Sequence, residues 1–443
     1  MIAAVLAAIV VIGGGAAWYY VSQQQTVPAL VEQTQKAEPD ERSIAVLPFN
    51  NMSDDKNQVY FADGISEDII TDLSKVSGLF VVARNTSFQF RNGAMDLSEV
   101  GRKLGVRYIL EGSVRRAGDQ VRITAQLIDV NSNGHVWAER YDGSLSDVFA
   151  AQDKVTGQII EALRVQLTPE EEKAVKDRGT TNPDAYDAYL QGLKLLSDRR
   201  RIDVESNNAA QDAFKKAIEL DPDYAQAIAG LAWAKWLHVA TINYFNDAPR
   251  KEAMKLAAKS LTLQDNALAH RILAREHFAM ESEFLFTSRD AQKAKEQLQA
   301  AHSLQPNNPD VLADLAMVQS FSGEPKQALP NIRKAMELNQ NHPDWYYGAS
   351  GIALLLNGDF KGAAAHLRKW SDADTSWRVP YVFLASALGR IGEVEAAKAA
   401  IKKHGDMYGP GTLTTLRGVQ HKWPMQDAEK EIFQKGLKLA GVK

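Results

Sequence analysis

A repeated spacing in the C-terminal part of the chain restricts the fold more than any other sequence feature. The segments Gly323-Glu324-Pro325, Gly358-Asp359-Phe360 and Gly392-Glu393-Val394 follow one another at intervals of 35 and 34 residues. Small residues recur on both sides of each glycine, namely Ala316, Gly351 and Ala385 before it and Ala328, Ala363 and Ala397 after it. Small residues at fixed offsets let two helices approach closely, so this period predicts a stack of helical hairpins.

The same pattern extends upstream with wider spacing. Residues 213–232 carry it, and the equivalent leucines Leu220, Leu263 and Leu304 are 43 and 41 residues apart. The wider intervals predict longer helices or loops near residues 243–246 and 284–288. In total the pattern resembles about six units of the tetratricopeptide repeat (TPR) family over residues 183–408, with capping helices in residues 409–443.

The predicted repeats indicate a binding role. A stack of hairpins curves, and the first helix of each hairpin lines its concave side, where TPR proteins hold a protein or peptide. Trp and Arg contribute much of the energy at protein interfaces. The repeat register places these candidate partner-binding residues on that side: Trp233, Trp236, Met317, Phe321, Trp345 and Arg390. Alternatively, the tryptophans pack into the next repeat or under residues 241–247. The sequence leaves open whether the chain forms homo-oligomers.

Residues 43–167 have a different pattern, which predicts an α+β domain. Buried strands are predicted at 43–49 and 79–83, helices at 60–73 and 97–104, and alternating strands at 106–115, 120–130 and 135–140, before a helix at 145–167. This order predicts a small mixed sheet with helices on one face. A charged connecting helix is expected within residues 168–182.

The strings IAVLPFNNMSDD, YFADGISEDIITDLS and GRKLGVRYILEGSVRR in this domain resemble the TolB amino-terminal-like domain. The resemblance covers residues 43–167. It implies a periplasmic sensory or assembly module of the kind that bacterial proteins carry between a membrane segment and TPR repeats, often after a class III adenylate cyclase domain. It supplies no catalytic residue.

The N-terminal residues predict membrane attachment. Residues 2–21 have no charged side chain, and about 20 apolar residues are enough to span a bilayer. Residues 1–22 are therefore predicted to be a transmembrane anchor, and residues 23–42 a linker. A cleaved signal peptide and a buried soluble helix are the alternatives. Anchor and signal peptide both place the bulk of the chain in the periplasm of a bacterium, and the anchor makes it a single-pass protein of the inner membrane.

Composition and motifs argue against several chemistries. The chain has no cysteine, which excludes thiol and iron–sulfur chemistry, and its net charge of -4 disfavours nucleic acid as a partner. Asp54, Asp55, Asp63 and Glu67 are assigned to an exposed turn and an exposed helix start rather than to a metal site. We expect no cofactor, metal or catalytic residue.

Two functions are consistent with these features. The first is a membrane-anchored scaffold or sensor without catalytic activity, which binds its partner through the TPR array. The alternative is the regulatory ectodomain of an adenylate cyclase-type protein whose catalytic domain would lie upstream of Met1.

Overall fold

The structure is a computed structural model. It describes residues 40–91, 96–177, 179–197, 203–241, 247–278, 280–282, 285–286, 290–373, 379–408 and 425–442. In these ranges no helix is both long and apolar enough to cross a lipid bilayer. The predicted anchor at residues 1–22 and most of the predicted linker lie outside the described residues, so both stay predictions.

The first domain is an α+β domain built around a mixed sheet. Its strands are β1 (Ser43–Val46), β2 (Asn50–Asn51), β3 (Phe80–Val81), β4 (Tyr108–Ala117), β5 (Gln120–Asp129) and β6 (Gly134–Ser144). Its helices are α1 (Val59–Ser74), α2 (Arg84–Ser87), α3 (Leu97–Leu104) and α4 (Val148–Ala162), and the connecting helix α5 (Pro169–Lys176) follows. The strand order is β3-β1-β4-β5-β6, with β2 also beside β4. β1 is parallel to β3 and β4, and β4, β5 and β6 form an antiparallel meander.

The prediction that all helices lie on one face of this sheet is wrong. On β1, Ile44 and Val46 pack in the core with α1 and α4, whereas Ala45 packs on the opposite face with α3. All four residues of β1 are buried. A central strand that is apolar on both sides requires cover on both sides, and α3 provides it on the second face.

The assignment of Asp63 to an exposed position is also wrong. Asp63 is buried on α1, where it pairs with Arg91 and, at 3.2 Å, with Lys194 Nζ. Asp54 and Asp55 are exposed, as predicted, and the Asp55 carboxylate accepts a hydrogen bond from the Asn57 backbone amide (2.8 Å). The described residues contain no group of side chains arranged to hold a metal ion.

The rest of the described chain forms six helical hairpins, as the repeat pattern predicts. We call the first helix of each hairpin an A helix and the second a B helix. The A helices are α6 (Pro183–Leu196), α8 (Ala225–Thr241), α10 (Ala267–His277), α12 (Pro309–Phe321), α14 (Trp345–Leu356) and α16 (Val379–Arg390). The B helices are α7 (Val204–Leu220), α9 (Asp247–Leu263), α11 (Ala291–Leu304), α13 (Pro325–Leu338), α15 (Phe360–Asp372) and α17 (Val394–Tyr408). Two short strands that the sequence did not predict, β7 (Met280–Ser282) and β8 (Leu285–Phe286), pair between α10 and α11.

Local residues set the ends of these helices. Asn182 and Asn308 each precede a proline, and their side-chain oxygens accept two backbone N–H hydrogen bonds from the first turns of α6 and α12. Gly323, Gly358 and Gly392 join A to B helices with φ angles of 82°, 88° and 83°. These left-handed conformations suit glycine, so the repeated glycine marks a turn that most other residues would strain.

The predicted small positions lie where A and B helices cross. Ala316, Ala328, Ala363, Ala385 and Ala397 are fully buried. A side chain added at Gly351 would overlap Leu367 of the paired helix. The small residues therefore determine how closely the hairpin helices pack, as the sequence indicated.

The α+β domain is docked against the array rather than separated from it. The Asn307 side chain, which is fully buried, donates a hydrogen bond to the Val76 carbonyl oxygen (2.7 Å). The Ala83 amide donates to the Leu338 carbonyl oxygen (2.8 Å), and the Thr86 hydroxyl donates to the Asn339 side-chain oxygen (3.1 Å). These contacts use the loops that precede α12 and α14.

Helix α1 also packs on α6, the first A helix. Gly64 allows this approach, since a Cβ atom there would overlap Leu190. At the edge of the contact, Tyr60 donates a hydrogen bond to Asp187 (2.8 Å), which also pairs with Arg116 (2.5 Å). Burial and the adjacent Asp187 carboxylate raise the pKa of Tyr60 to about 12, so its hydroxyl stays protonated and keeps this hydrogen bond at neutral pH.

The last described helix, α18 (Asp427–Leu439), lies across two A helices, α14 and α16. Gly389 of α16 meets Gly436 of α18, where an added Cβ on either glycine would overlap the backbone of the other helix. The Ser386 hydroxyl donates to the Phe433 carbonyl oxygen (2.8 Å). The predicted C-terminal helix is therefore present, and it covers the A helices of the last hairpins.

Gly436→Ala tests this crossing. We expect the variant to lower the free energy of unfolding by about 1–3 kcal/mol, because the methyl group forces the two backbones apart. Urea unfolding followed by circular dichroism measures the change. Lys435→Ala, an exposed neighbour on the same helix, is the control and should be nearly neutral. Equal stability of the two variants would contradict the close crossing.

Candidate functional site

Three of the predicted partner-binding residues lie together around one arginine. The Trp233 and Trp236 rings of α8 are stacked, with centroids 5.2 Å apart and planes within 5°. The Arg275 guanidinium of α10 lies 5.4 Å from the Trp233 ring, 5.1 Å from the Trp236 ring and 5.3 Å from the Trp345 ring. Such distances allow cation–π attraction. We call Trp233, Trp236, Arg275 and Trp345 the tryptophan cluster.

The cluster rests on a buried ion network that joins three A helices. Arg275 forms two hydrogen bonds to Asp314 of α12, at 2.8 and 3.1 Å. Arg271 donates to Asp314 (2.9 Å) and to Asp310 (3.1 Å). The Tyr346 hydroxyl of α14 donates to Asp310 (2.7 Å).

The network is charged although it is buried. Burial by itself would lower the pKa of Arg271, but Asp310 and Asp314 outweigh that effect and hold the pKa above its ordinary value. Burial, together with the Asp310 carboxylate, raises the pKa of Tyr346. Arg271 is therefore cationic, and the Tyr346 hydroxyl is neutral, at neutral pH. The two arginines are held in place by two carboxylates, so Arg275 presents a fixed cation to the tryptophan rings.

The tryptophan cluster is partly accessible. Trp236 and Trp345 are half-buried, and the Arg275 side chain is 23% exposed. Trp233 is buried beneath them, at 7% exposure. The two outer tryptophans and Arg275 are therefore the members of the cluster that a partner can reach, while Trp233 supports them through the stacked ring.

The other three predicted contacts lie elsewhere. Phe321 has no exposed surface and packs against Phe278 and Phe383, so its prediction as a partner contact is corrected to a core position. Met317 is half-buried between the two core clusters of the later hairpins. The structure therefore brings neither residue into the tryptophan cluster.

Arg390 faces the chain's own last helix. Its guanidinium lies 4.0 Å from the Phe360 ring centroid and donates to the Ile432 carbonyl oxygen of α18 (3.4 Å). Burial lowers the pKa of Arg390. The position predicted to contact a foreign partner is thus occupied by α18, and the prediction is corrected accordingly.

Sequence reasoning missed the charged half of the site. Arg271 and Arg275 are four residues apart on α10, and Asp310 and Asp314 are four apart on α12. Residues at this spacing share one helix face, so opposite charges on consecutive A helices could have indicated a salt-bridged pair of faces.

Two segments of the chain match known protein families. Residues 285–350 match the tetratricopeptide repeat family, so this part of the array contains TPR repeats, as predicted. Residues 40–157 match the second domain of HilA/YgeH-like transcriptional regulators. A protein of Rhizobium meliloti (strain 1021) named putative adenylate cyclase 3 is 52% identical over 194 residues, which cover 44% of this chain and 32% of that protein. The match thus spans about a third of the relative's length.

Solved structures with some similarity to the chain include a TPR protein and a TolB protein. YrrB, described as a TPR protein with an unusual peptide-binding site, is 20% identical, with a TM-score of 0.33, over 47% of this chain and 98% of its own. TolB from Acinetobacter baumannii is 22% identical, with a TM-score of 0.22, over 28% of this chain and 29% of its own.

Asp314→Asn tests the ion network. The variant leaves the buried Arg271 and the partly exposed Arg275 with a neutral acceptor, so we expect the free energy of unfolding to fall by about 3 kcal/mol or more. Urea unfolding at pH 7 measures it. Asp212→Asn removes a carboxylate from an exposed pair with Lys215 and should cost less than about 1 kcal/mol. A loss for Asp314→Asn as small as that of the control would contradict the structural role of the network.

Proposed function

We propose that this chain is a protein-binding scaffold that holds a protein or peptide partner on the A-helix side of its TPR array. The tryptophan cluster is the observation that carries the proposal. It presents two half-buried indole rings and a fixed guanidinium from three A helices, and these are the residue types that dominate binding energy at protein interfaces.

The proposed contact surface is narrower than the whole groove predicted from sequence. The α+β domain covers the side where several A helices begin, and α18 covers α14 and α16. The surface that stays uncovered around Trp236, Arg275 and Trp345 favours a partner that inserts a few apolar or aromatic side chains. A long extended peptide along all six hairpins would have to displace one of the chain's own segments.

We further propose that residues 2–21 attach the scaffold to the bacterial inner membrane and that the described domains face the periplasm. The support is the uncharged N-terminal run and the interface-favouring aromatics Trp18, Tyr19 and Tyr20 that end it.

A second candidate is the regulatory, non-catalytic part of an adenylate cyclase-type signalling protein. The relative named putative adenylate cyclase 3 favours it, because the chain matches about a third of that protein at 52% identity. In this reading the array binds a partner that controls a catalytic domain elsewhere in the protein.

Trp236→Ala tests the contact surface. Photo-crosslinkers placed next to the cluster in the full chain identify the bound protein in cells, and titration with that purified protein gives the affinity. We expect the variant to weaken binding about tenfold or more, because a half-buried indole at an interface centre is worth about 1–3 kcal/mol. Leu263→Ala removes an exposed apolar side chain from the end of α9 and serves as the matched control. Unchanged affinity of Trp236→Ala, with an intact fold by circular dichroism, would refute this surface.

Membrane attachment has its own test. The full chain should remain with the membrane fraction after alkaline carbonate washing, and deletion of residues 2–21 should release it, since about 20 apolar residues supply the insertion energy. A protease added to the medium around spheroplasts should digest the chain, because its described domains are proposed to face the periplasm. Recovery of the full chain in the soluble fraction would show that these residues are no anchor.

A further inference from the structure

A cavity of about 300 Å³ lies between the α+β domain and the TPR array, and we call it the interdomain cavity. From the α+β domain, α1 contributes Asp68 to its wall and α4 contributes Phe149. From the array, Tyr189, Tyr224 and Trp233 line it. Because each unit supplies part of the wall, the cavity exists only in the docked arrangement.

Two tyrosine hydroxyls of this wall are open to hydrogen bonding. In the part of the chain that the structure describes, neither the Tyr189 nor the Tyr224 hydroxyl has a hydrogen-bond partner. Tyr224 is 2% exposed, and Tyr189 is half-buried. Burial raises the pKa of both tyrosines, and the negative charge of Asp68 adds to each rise, so both hydroxyls are protonated at neutral pH. A protonated hydroxyl can donate one hydrogen bond and accept others, and both tyrosines line a space in which a ligand could supply them.

The same wall is rich in aromatic rings. The Tyr189 and Tyr224 rings lie 5.1 Å apart. The Phe149 ring meets the Tyr186 ring edge to face at 5.0 Å, and both residues line the cavity. Trp233 adds an indole ring that is 7% exposed. The wall therefore combines apolar ring surfaces with hydroxyl groups, a combination that suits a ligand with both apolar and hydroxylated parts.

The charged groups of the wall favour a neutral ligand. Each base that lines the cavity lies beside one of its acids, with Lys75 at 2.9 Å from Asp72, Arg84 at 2.7 Å from Glu67 and Arg271 at 3.1 Å from Asp310. Asp68 accepts hydrogen bonds from the Tyr186 hydroxyl and from Gln152 Nε2 (3.1 Å). A charged ligand would have to compete with these internal partners, and a charge left unpaired in a buried site is costly.

We propose that the interdomain cavity binds a neutral sugar of about the size of a monosaccharide. The ring of such a sugar has apolar C–H surfaces, which pack on the aromatic rings, and hydroxyl groups, which bond to the Tyr189 and Tyr224 hydroxyls. A volume of about 300 Å³ is at the lower end of ligand pockets, which suits a single sugar unit. The source is either a free monosaccharide or the terminal unit of a glycan.

Such a ligand would also connect the docking of the two units with the tryptophan cluster. Trp233 lines the cavity and stacks on Trp236 in the cluster. A ligand that contacts both units binds the docked state in preference to any undocked one, so it would stabilise the arrangement beneath Trp236. The Tyr189 and Tyr224 hydroxyls are separate from the outer tryptophans, so sugar binding can succeed or fail independently of a protein partner.

Isothermal titration calorimetry on the full chain in lauryldimethylamine oxide, a detergent without a sugar group, tests the proposal. The titrants are D-glucose, D-galactose, D-mannose and N-acetyl-D-glucosamine. At least one of them should bind with a dissociation constant between about 10 µM and 10 mM and should raise the melting temperature. Cyclohexanol, a six-membered ring with one hydroxyl group, should bind at least about tenfold more weakly than that sugar.

Charged sugars test the neutrality of the ligand. D-Glucosamine carries an ammonium group and D-glucuronate a carboxylate, and both should bind more weakly than the best neutral sugar, because the charges of the wall are already engaged. An oligosaccharide of the best neutral sugar distinguishes the source. Tighter binding of the oligosaccharide than of the monosaccharide indicates a glycan, and equal or weaker binding indicates a free sugar.

Two variants locate the site without removing a contact of the folded chain. Tyr224→Phe and Tyr189→Phe each delete one hydroxyl that has no partner in the described structure, so both variants should keep the melting temperature of the unmodified chain. Each should weaken binding of the sugar about threefold to tenfold, because one hydrogen bond to the ligand is lost. Tyr347→Phe removes a hydroxyl from a half-buried tyrosine outside the cavity wall and should bind as the unmodified chain does.

Three results would overturn the proposal. The first is absence of binding by all four neutral sugars at about 50 mM. The second is tighter binding of D-glucosamine or D-glucuronate than of any neutral sugar. The third is unchanged sugar affinity in both folded variants, Tyr189→Phe and Tyr224→Phe, which would place a bound sugar outside the interdomain cavity.

Discussion

The structure depends on one constraint, which is that no single hairpin of this chain can bury its own apolar stripe. Each A helix needs its B helix on one side and the next A helix on the other. The buried alanines at these crossings and the left-handed glycine turns at Gly323, Gly358 and Gly392 keep the helices at a constant separation. Repetition of that geometry produces the array, and every other feature of the protein is placed relative to it.

The array in turn gives the α+β domain a fixed position. The loops before α12 and α14 bind the ends of α1 and the segment around Thr86 through buried Asn307 and Asn339. Their side chains satisfy backbone and hydroxyl groups that would otherwise be buried without partners, so the contact resembles an internal domain junction more than a transient encounter. The chain's own segments therefore cover part of the A-helix side of the array.

The tryptophan cluster shows how the array holds aromatic side chains near its surface. Arg275 is held by Asp314 and supplies the cation between indole rings. The arrangement is partly exposed, which suits a protein contact.

The sequence predicted the elements better than the contacts among them. The helical period located the hairpins, and the alternation of strands located the meander, because these patterns are local. It also selected Trp233, Trp236 and Trp345, three of the four members of the tryptophan cluster. It misplaced Phe321 and Arg390, since a helix register gives the face of a residue but does not show whether another segment, such as α18, covers that face.

By itself the sequence determined the number of hairpins, the glycine turns, the order of elements in the α+β domain and the absence of cysteine chemistry. Only the tertiary structure decided that α3 covers the second face of the sheet, that the α+β domain docks on the array and that Asp63 is buried. These outcomes depend on contacts between residues far apart in the chain, such as Asp68 with Tyr186 and Ala83 with Leu338. A local pattern shows which residues favour burial, whereas packing across the whole chain determines which residues bury them.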